Sequence, residues 1–509
     1  MSVDAQQQTI ALLTNPATHG GAAVERIDTH SAIVFLAGPR ALKLKRAVRY
    51  DYLDFSTEPL RRAACEAEVR INRRTASDLY RGTVPITREP GGRLALGGTG
   101  TPVDWVVEMV RFDQDGLFDR LAARDALDLG LMGPLAATIA RFHQTAQERG
   151  DHGGVAGMAW VVDGNADGFL RQGQSILDPA QGEALVLASR REIERRGPLL
   201  ERRRRTGFVR QCHGDLHLRN IVLLDGRPTL FDAIEFNDDI ACVDVHYDVA
   251  FLLMDLWKRR LPRHANAILN GYLSGTDDLD ALPLLPLFLS CRAAVRAKTS
   301  ATAARLQPDA GRARELGSLA RAYLVLARQF LEPAAPRLIA VGGLSGSGKS
   351  TLAMALAPSI GAPPGALVLR SDVVRKRLCG TPVLERLGPD GYTPRMNARV
   401  YAVLLDRAQR ALRAGHSAIV DGVFARPSDR HEIEAVAAAA GVAFEGLWLD
   451  APIEALVERL EGRTRDASDA DAAVARGQLV QGTGFIGWRR IDASSSPDIT
   501  LQRVLELRP

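Results

Sequence analysis

Cysteine is scarce in this chain of 509 residues. The five cysteines are odd in number, lie far apart and include no C-x-x-C pair; they are Cys65, Cys212, Cys242, Cys291 and Cys379. This distribution argues against a disulfide framework and against a cysteine-based zinc site. It favours reduced thiols, as in cytosolic proteins.

Long hydrophobic runs are also missing. The longest apolar stretches, 249–256 and 281–289, contain Asp or Pro and are too short to span a bilayer. The first residues show no basic segment followed by a long apolar core, so we expect no signal peptide. We therefore expect a cytoplasmic protein that has no membrane partner.

The excess of positive charge is small. The net charge is +5 at pH 7, which suits the handling of anionic nucleotides but gives no argument for nucleic acid. We accordingly expect no nucleic-acid partner. The composition, 46% hydrophobic and 25% charged, is that of a globular protein, and the length predicts two large domains or three smaller ones.

A glycine-rich stretch at 337–352, RLIAVGGLSGSGKSTL, dominates the sequence. It fits G-x-x-x-x-G-K-[ST], with an apolar strand-like run before it and a helix-forming run after it. Backbone N–H groups of such a loop point at phosphate oxygens, its lysine reaches the β- and γ-phosphates, and its hydroxyl holds Mg²⁺. The predicted nucleotide-binding residues are Gly343, Leu344, Ser345, Gly346, Ser347, Gly348, Lys349, Ser350 and Thr351.

Strands and helices alternate after this loop, which predicts a parallel sheet with helices on both faces. Asp372 follows the second strand, at the sheet edge where ligands bind, and is a candidate base for an acceptor hydroxyl. Asp421 ends the next strand as a candidate Mg²⁺ ligand. Arg463 lies in an arginine-rich segment that we interpret as a lid stabilising the transferring phosphoryl group.

This part of the chain, 337–509, resembles the small P-loop kinases of the gluconate kinase and zeta-toxin type. The resemblance rests on the phosphate loop, on Asp372, Arg375 and Asp421, and on the arginine segment before Ser468. It implies phosphoryl transfer to a small hydroxylated acceptor. Arg375 and Arg377 could hold an anionic acceptor or could form an ordinary solvated helix face.

A second motif, HGDLHLRN at 213–220, leads into a predicted β-hairpin around Asp225 and Gly226. Kinases of the protein-kinase type place an Asp five residues before an Asn in this way. Asp215 is then the candidate catalytic base and Asn220 a candidate metal ligand. Asp232, after the hairpin, is the second candidate metal ligand, with Glu235 as its competitor.

Such an enzyme also needs a strand lysine for the phosphates and a helix glutamate that holds the lysine. We assign Lys43 and Glu68 to these roles, while Lys45 and Glu66 stay open as alternatives. A glycine-rich loop over the phosphates is missing, and the turn at 38–39 is a poor substitute.

Residues 30–330 resemble the aminoglycoside phosphotransferase-like family, relatives of choline kinase and the protein kinases. The resemblance rests on His213, Gly214, Asp215 and Asn220, on Asp232, and on the later run Tyr247, Asp248, Val249 and Ala250. It implies that Asp248 braces the catalytic loop and that residues 105–112 form the hinge that meets adenine.

The sequence therefore predicts an α+β bilobal protein-kinase-like domain followed by an α/β P-loop domain with a parallel sheet. The kinase-like domain covers 1–331, with an N-lobe of about 1–112 and a C-lobe of about 113–331; 332–336 is a linker and 337–509 is the P-loop kinase domain. ATP and Mg²⁺ are the expected cofactors, small-molecule hydroxyl acceptors are the expected partners, and the oligomeric state is unknown. The alternatives are a chain in which only the P-loop domain is catalytic and the first domain senses a ligand, and a non-enzymatic ATP-gated binding protein.

Overall fold

The computed structural model describes residues 3–50, 52–173, 176–462 and 467–506. The chain divides into two compact units, Met1–Asp255 and Leu256–Pro509. The division falls inside one helix, Val245–Lys258, whereas the predicted linker 332–336 is an exposed segment without helix or strand. The proposed domain limits stay a prediction.

The helices of the first unit are α1 (Val3–Thr14), α2 (Glu58–Ala76), α3 (Phe118–Ala123), α4 (Met132–Thr145), α5 (Gly154–Gly173), α6 (Pro179–Arg205), α7 (Asp238–Ala241) and α8 (Val245–Lys258), which runs into the second unit. Its strands are β1 (Val24–Asp28), β2 (Ala32–Ala37), β3 (Arg40–Lys45), β4 (Arg49–Tyr50), β5 (Leu53–Asp54), β6 (Tyr80–Arg88), β7 (Leu94–Leu96), β8 (Thr101–Val110), β9 (Val209–Gln211), β10 (Ile221–Leu224), β11 (Arg227–Leu230) and β12 (Cys242–Asp244).

An antiparallel sheet forms the first part of this unit, with the strand order β1-β2-β3-β8-β6-β7. Helix α2 packs against it because Cys65, Val69 and Ala76 recur at helical spacing and are buried against Leu36 and Val107. Strand β3 alternates, so its two lysines share the face that looks toward α2. Mainly helical structure follows, interrupted by the β10–β11 hairpin at the predicted place.

Three details of this unit differ from the sequence expectation. Residues 24–28 form a strand that the sequence did not indicate; Val24 and Ile27 pack on the sheet as part of its edge. The turn that lies where a glycine-rich loop over the phosphates was sought is therefore 29–31, between β1 and β2. It contains no glycine. Strand β8 runs to Val110, so most of the predicted hinge 105–112 is strand.

The second unit contains helices α9 (Pro262–Thr276), α10 (Leu285–Leu306), α11 (Ala310–Phe330), α12 (Lys349–Leu356), α13 (Ser371–Leu378), α14 (Pro394–Arg413), α15 (Pro427–Ala440), α16 (Ile453–Glu461), α17 (Ala472–Gln481) and α18 (Pro497–Glu506). Its strands are β13 (Arg337–Gly343), β14 (Leu367–Arg370), β15 (Ala418–Asp421), β16 (Ala443–Asp450) and β17 (Arg489–Asp492).

The strands of the second unit form a parallel sheet in the order β14-β15-β13-β16-β17. Residues such as Ile339, Val341 and Ile419 are fully buried in its core, as the continuous apolar runs require of a sheet covered on both faces. Strand β13 lies at the centre of the sheet. Its neighbours β15 and β16 pair with its two opposite edges. The carboxyl end of β13 is therefore the switch point at which such sheets bind ligands.

Candidate functional site

In the first unit, the turn HGDLHLRN is held by carboxylates of α8. Asp248 accepts hydrogen bonds from the backbone N–H groups of His213 (3.1 Å) and Gly214 (2.8 Å) and from Nε2 of His143 (3.1 Å). Asp255 accepts one from the N–H of Leu218 at 3.1 Å. The structure thus places Asp248 where the brace of the catalytic loop was expected.

Asp215 and Asn220 lie together on this turn. Nδ2 of Asn220 donates to the backbone oxygen and to Oδ2 of Asp215, both at 3.0 Å. Nε2 of His217 lies 3.2 Å from the same Oδ2. The amide nitrogen of Asn220 is occupied by these hydrogen bonds. Its amide oxygen is therefore the atom that suits a hard cation such as Mg²⁺.

The lysine assigned to the phosphates, Lys43, and the glutamate assigned to hold it, Glu68, also contact each other. Nζ of Lys43 lies 2.9 Å from Oε1 of Glu68 and 2.5 Å from Oδ1 of Asp232. Burial alone would lower the pKa of Lys43, but the carboxylates of Asp232 and Glu68 raise it well above its ordinary value. Glu66 is exposed and pairs with Arg62 on the surface of α2, so it does not take part.

The two competing residues, Lys45 and Glu235, form a second ion pair beside that of Lys43 and Asp232. Nζ of Lys45 contacts the carboxylates of both Glu235 and Glu68, and all three side chains are buried. Burial raises the pKa of Glu235, against the opposing effect of Lys45. Asp232 reaches the cleft, with 41% of its side chain exposed, whereas only 3% of Glu235 is exposed. Asp232 is therefore the better placed candidate for a metal ligand.

In the second unit, the phosphate loop has the geometry that its glycines predict. Gly343, Gly346 and Gly348 have φ angles of 139°, 87° and 90°, which favour glycine. A Cβ on Gly346 would lie 2.7 Å from the backbone oxygen of Leu456, so this position has no room for a side chain. Lys349 begins α12, and its Nζ donates to the backbone oxygen of Leu344 at 2.8 Å.

The metal-ligand candidates of this loop are also in contact. Oγ of Ser350 donates to Oδ2 of Asp421 at 2.5 Å, and Nε of Arg370 lies 3.6 Å from the same oxygen. Burial raises the pKa of Asp421, and Lys349 and Arg370 oppose that rise. A hydroxyl and a carboxylate at the end of β15 are a donor set that suits Mg²⁺.

The residues that the sequence assigned to the acceptor differ in how the structure places them. Asp372 lies in the first turn of α13 and is half-buried, so it stands beside the strand end as expected. Arg375 is buried, donates to the backbone oxygen of Gly391 at 2.7 Å and packs over the ring of Tyr392. Arg377 lies 3.5 Å from Asp277. The structure thus gives both arginines protein partners.

The predicted lid arginine Arg463 lies outside the described residues. The nearby Arg459 lies in the last turn of α16 and donates to the backbone oxygens of Ser494 and Ser495, so it stabilises the fold. The sequence reasoning missed Gln478 on α17, whose Oε1 accepts a hydrogen bond from the backbone N–H of Ser345 in the phosphate loop at 2.9 Å. No local motif marks this residue.

Comparisons with known proteins find two kinase-type domains in this chain. Residues 56–285 match the family described as Phosphotransferase enzyme family, and residues 338–481 match the family described as AAA domain. The Mycobacterium tuberculosis H37Rv protein named Uncharacterized protein Rv2004c is 31% identical over 491 residues, which cover 92% of each chain. A Mycobacterium bovis protein, Uncharacterized protein Mb2027c, matches equally well.

The chain belongs to the family of these mycobacterial proteins. It joins a kinase-like domain of the phosphotransferase enzyme family to a P-loop kinase domain with a parallel sheet, as the sequence predicted. It is a kinase by family.

Solved structures show weaker likenesses. A gluconokinase from Sinorhizobium meliloti 1021 is 21% identical, with 34% of this chain and 91% of that chain covered and a TM-score of 0.25. The Plasmodium vivax ethanolamine kinase is 12% identical, with 60% and 82% covered and a TM-score of 0.39. With such low scores, neither likeness says which acceptor this chain uses. None of the described helices has the length and apolar content needed to cross a membrane.

Proposed function

We propose that this chain is a bifunctional, ATP-dependent small-molecule kinase with two separate Mg-ATP sites. At each site the γ-phosphate of ATP passes to a hydroxyl of a small metabolite such as a sugar, an amino sugar or an aminoglycoside-like compound. The observation that carries the proposal is that each unit brings a phosphate-binding lysine, a metal-ligand carboxylate and a candidate base to one place. The five free thiols support a cytoplasmic location, and we propose neither a nucleic-acid nor a membrane partner.

At the first site, Asp215 accepts the proton of the acceptor hydroxyl, whose oxygen forms the new bond to the γ-phosphorus. The bond between the γ-phosphorus and the bridging oxygen breaks, and ADP leaves with that oxygen. Lys43 binds the phosphates, and Glu68 keeps the lysine in place. Asn220 and Asp232 would hold Mg²⁺, which when bound neutralises phosphate charge.

At the second site, the phosphate loop and Lys349 bind the nucleotide, and Ser350 and Asp421 would hold Mg²⁺. Asp372 accepts the proton of the acceptor hydroxyl there. With Arg375 held by Gly391 and Tyr392, we favour an acceptor recognised through its hydroxyl groups. Positioning and neutralisation of charge account for catalysis at both sites.

The test is ADP release by the full chain against a panel of sugars, amino sugars, aminoglycosides and nucleosides. Wild type is compared with Asp215→Asn and Lys349→Ala, and the exposed Glu66→Gln serves as the matched control. We expect each site variant to abolish turnover of a different acceptor while the control keeps both.

The alternatives give different results. If only Lys349→Ala abolishes turnover, the first unit is a sensing module. If neither variant changes ADP release over a wide panel although wild type binds ATP, the chain is an ATP-gated binding protein and the proposal is wrong.

A further inference from the structure

The first site contains two parallel ion pairs where one is needed. An outer pair joins Lys43 to Asp232, and an inner pair joins Lys45 to Glu235. Glu68 contacts both lysines, one with each carboxylate oxygen. The exposed fractions of the side chains are 14% and 41% in the outer pair but 3% and 3% in the inner pair. Only the outer pair is accessible to a ligand.

The segment 231–237, which we call the metal-ligand loop, has further anchors on the elements around it. Asn72 of α2 is fully buried, and its Oδ1 accepts a hydrogen bond from the N–H of Ala233 at 2.8 Å. The N–H of Asp232 donates to the hydroxyl of Tyr80 at 3.1 Å. Asp232 itself has a φ of 61°, a left-handed conformation that a non-glycine residue keeps only when its surroundings hold it.

Nucleotide binding must break the outer pair. Lys43 has to turn from the Asp232 carboxylate to phosphate oxygens, and Asp232 has to turn to the metal ion. At that moment the outer pair no longer holds the metal-ligand loop on the sheet. The inner pair has no access to the ligand and stays closed throughout the exchange.

We propose that Lys45, Glu235 and Asn72 are positioning residues that keep the metal-ligand loop in place while the outer pair opens. The proposal rests on Mg-ATP binding at the first site, as proposed above. Lys45 and Glu235, the sequence alternatives to Lys43 and Asp232, thus have a separate role. Glu235 does not bind the metal in this account; it holds the loop through Lys45.

The experiment uses the full chain in a Lys349→Ala background, so that the phosphate-loop site does not contribute to binding. Calorimetric titration with ATP, at a series of free Mg²⁺ concentrations and in EDTA, gives the ATP affinity and the half-saturating Mg²⁺ concentration. The variants are Glu235→Gln and Lys45→Met, with Asp232→Asn for loss of the metal ligand and Glu66→Gln as the control.

For Glu235→Gln and Lys45→Met we expect the half-saturating Mg²⁺ concentration to rise about tenfold. The ATP affinity in EDTA should stay within about twofold, because Lys43 and Glu68 remain; a merely structural defect would weaken ATP binding in EDTA as well. The double variant Lys45→Met/Glu235→Leu leaves no unpaired buried charge, so it folds even if a single variant does not. It should show the same rise in the Mg²⁺ requirement.

Three results would contradict the inference. An unchanged Mg²⁺ requirement in the double variant would remove the positioning role. If Glu235→Gln abolished the Mg²⁺ response as fully as Asp232→Asn while Lys45→Met left it intact, Glu235 would be a metal ligand itself. If the Lys349→Ala chain bound no Mg-ATP at all, the proposed function of the first unit would fail, and this inference with it.

Discussion

The ion pair of Arg61 and Asp104 is the most deeply buried one that joins α2 to the sheet. Both side chains have no exposed surface, and Nε of Arg61 lies 2.7 Å from Oδ1 of Asp104. Arg61 also donates to the backbone oxygen of Phe55 at 3.0 Å. Because α2 carries Glu68, loss of this pair loosens the helix that supports Lys43.

The substitution Asp104→Ala leaves the Arg61 guanidinium in the interior without its counter-charge. Breaking a fully buried pair from one side costs about 3–5 kcal/mol of unfolding free energy. With a urea m-value of about 2 kcal/mol per molar, the midpoint of the first unit falls by about 1.5–2.5 M. Removal of the exposed pair Arg62–Glu66 through Glu66→Gln, which leaves Arg62 on the Trp105 ring, should cost only about 0.3–0.5 kcal/mol.

The assay is urea titration of the full chain, followed by hydrogen exchange of the α2 amides, which reports this unit by itself. The double variant Arg61→Met/Asp104→Leu should recover most of the lost stability, because no buried charge stays unpaired. The reasoning is refuted if Asp104→Ala costs less than about 1 kcal/mol. It is equally refuted if the double variant is no more stable than the single one.

Three further predictions concern the second unit. Gly346→Ala should abolish ATP binding at the phosphate loop in a fluorescent-nucleotide titration, because its Cβ would meet the Leu456 oxygen at 2.7 Å; normal binding would contradict the loop geometry. Asn270→Ala should speed amide exchange at Val368 about tenfold, since it removes the side-chain oxygen that accepts the Val368 N–H at 2.7 Å on the edge strand; equal exchange rates would exclude this role. Burial lowers the pKa of His416 to about 4, so the unfolded chain binds more protons below pH 6.5, and stability should fall by about 1.4 kcal/mol per pH unit from 6.5 toward 4. Urea titrations at pH 7 and pH 5 check this, and His416→Gln should remove that part of the slope.

Much of the fold could be predicted because its signals are local. The phosphate loop, the alternation of β3 and the turn residues Asp225 and Gly226 each determine their own geometry within a few residues. Strands β1 and β17 were missed because short edge strands carry little apolar pattern of their own. Their pairing depends on a neighbouring strand that no local sequence pattern identifies.

The site was predictable in its residue types and less so in its pairings. Strand period 2 puts Lys43 and Lys45 on one face, so no local signal could decide which lysine meets which carboxylate. The structure gives each lysine its own acid. Asn72 stands one helical turn after Glu68 on the same face of α2, and that spacing could have revealed it. Gln478 could not have been found, because its contact with the phosphate loop is long-range.

In both units, the groups proposed to bind the nucleotide are held by the protein's own oxygens. Lys43 lies on the Asp232 carboxylate, and Ser350 donates to the Asp421 carboxylate. Such internal partners keep the side chains near their working positions and reduce the reorganisation that binding requires. They also place an anionic carboxylate where the phosphates of the proposed nucleotide would lie, so that ATP without a cation would meet repulsion at Asp232 and at Asp421. For this reason we expect a divalent cation to strengthen nucleotide binding at each site.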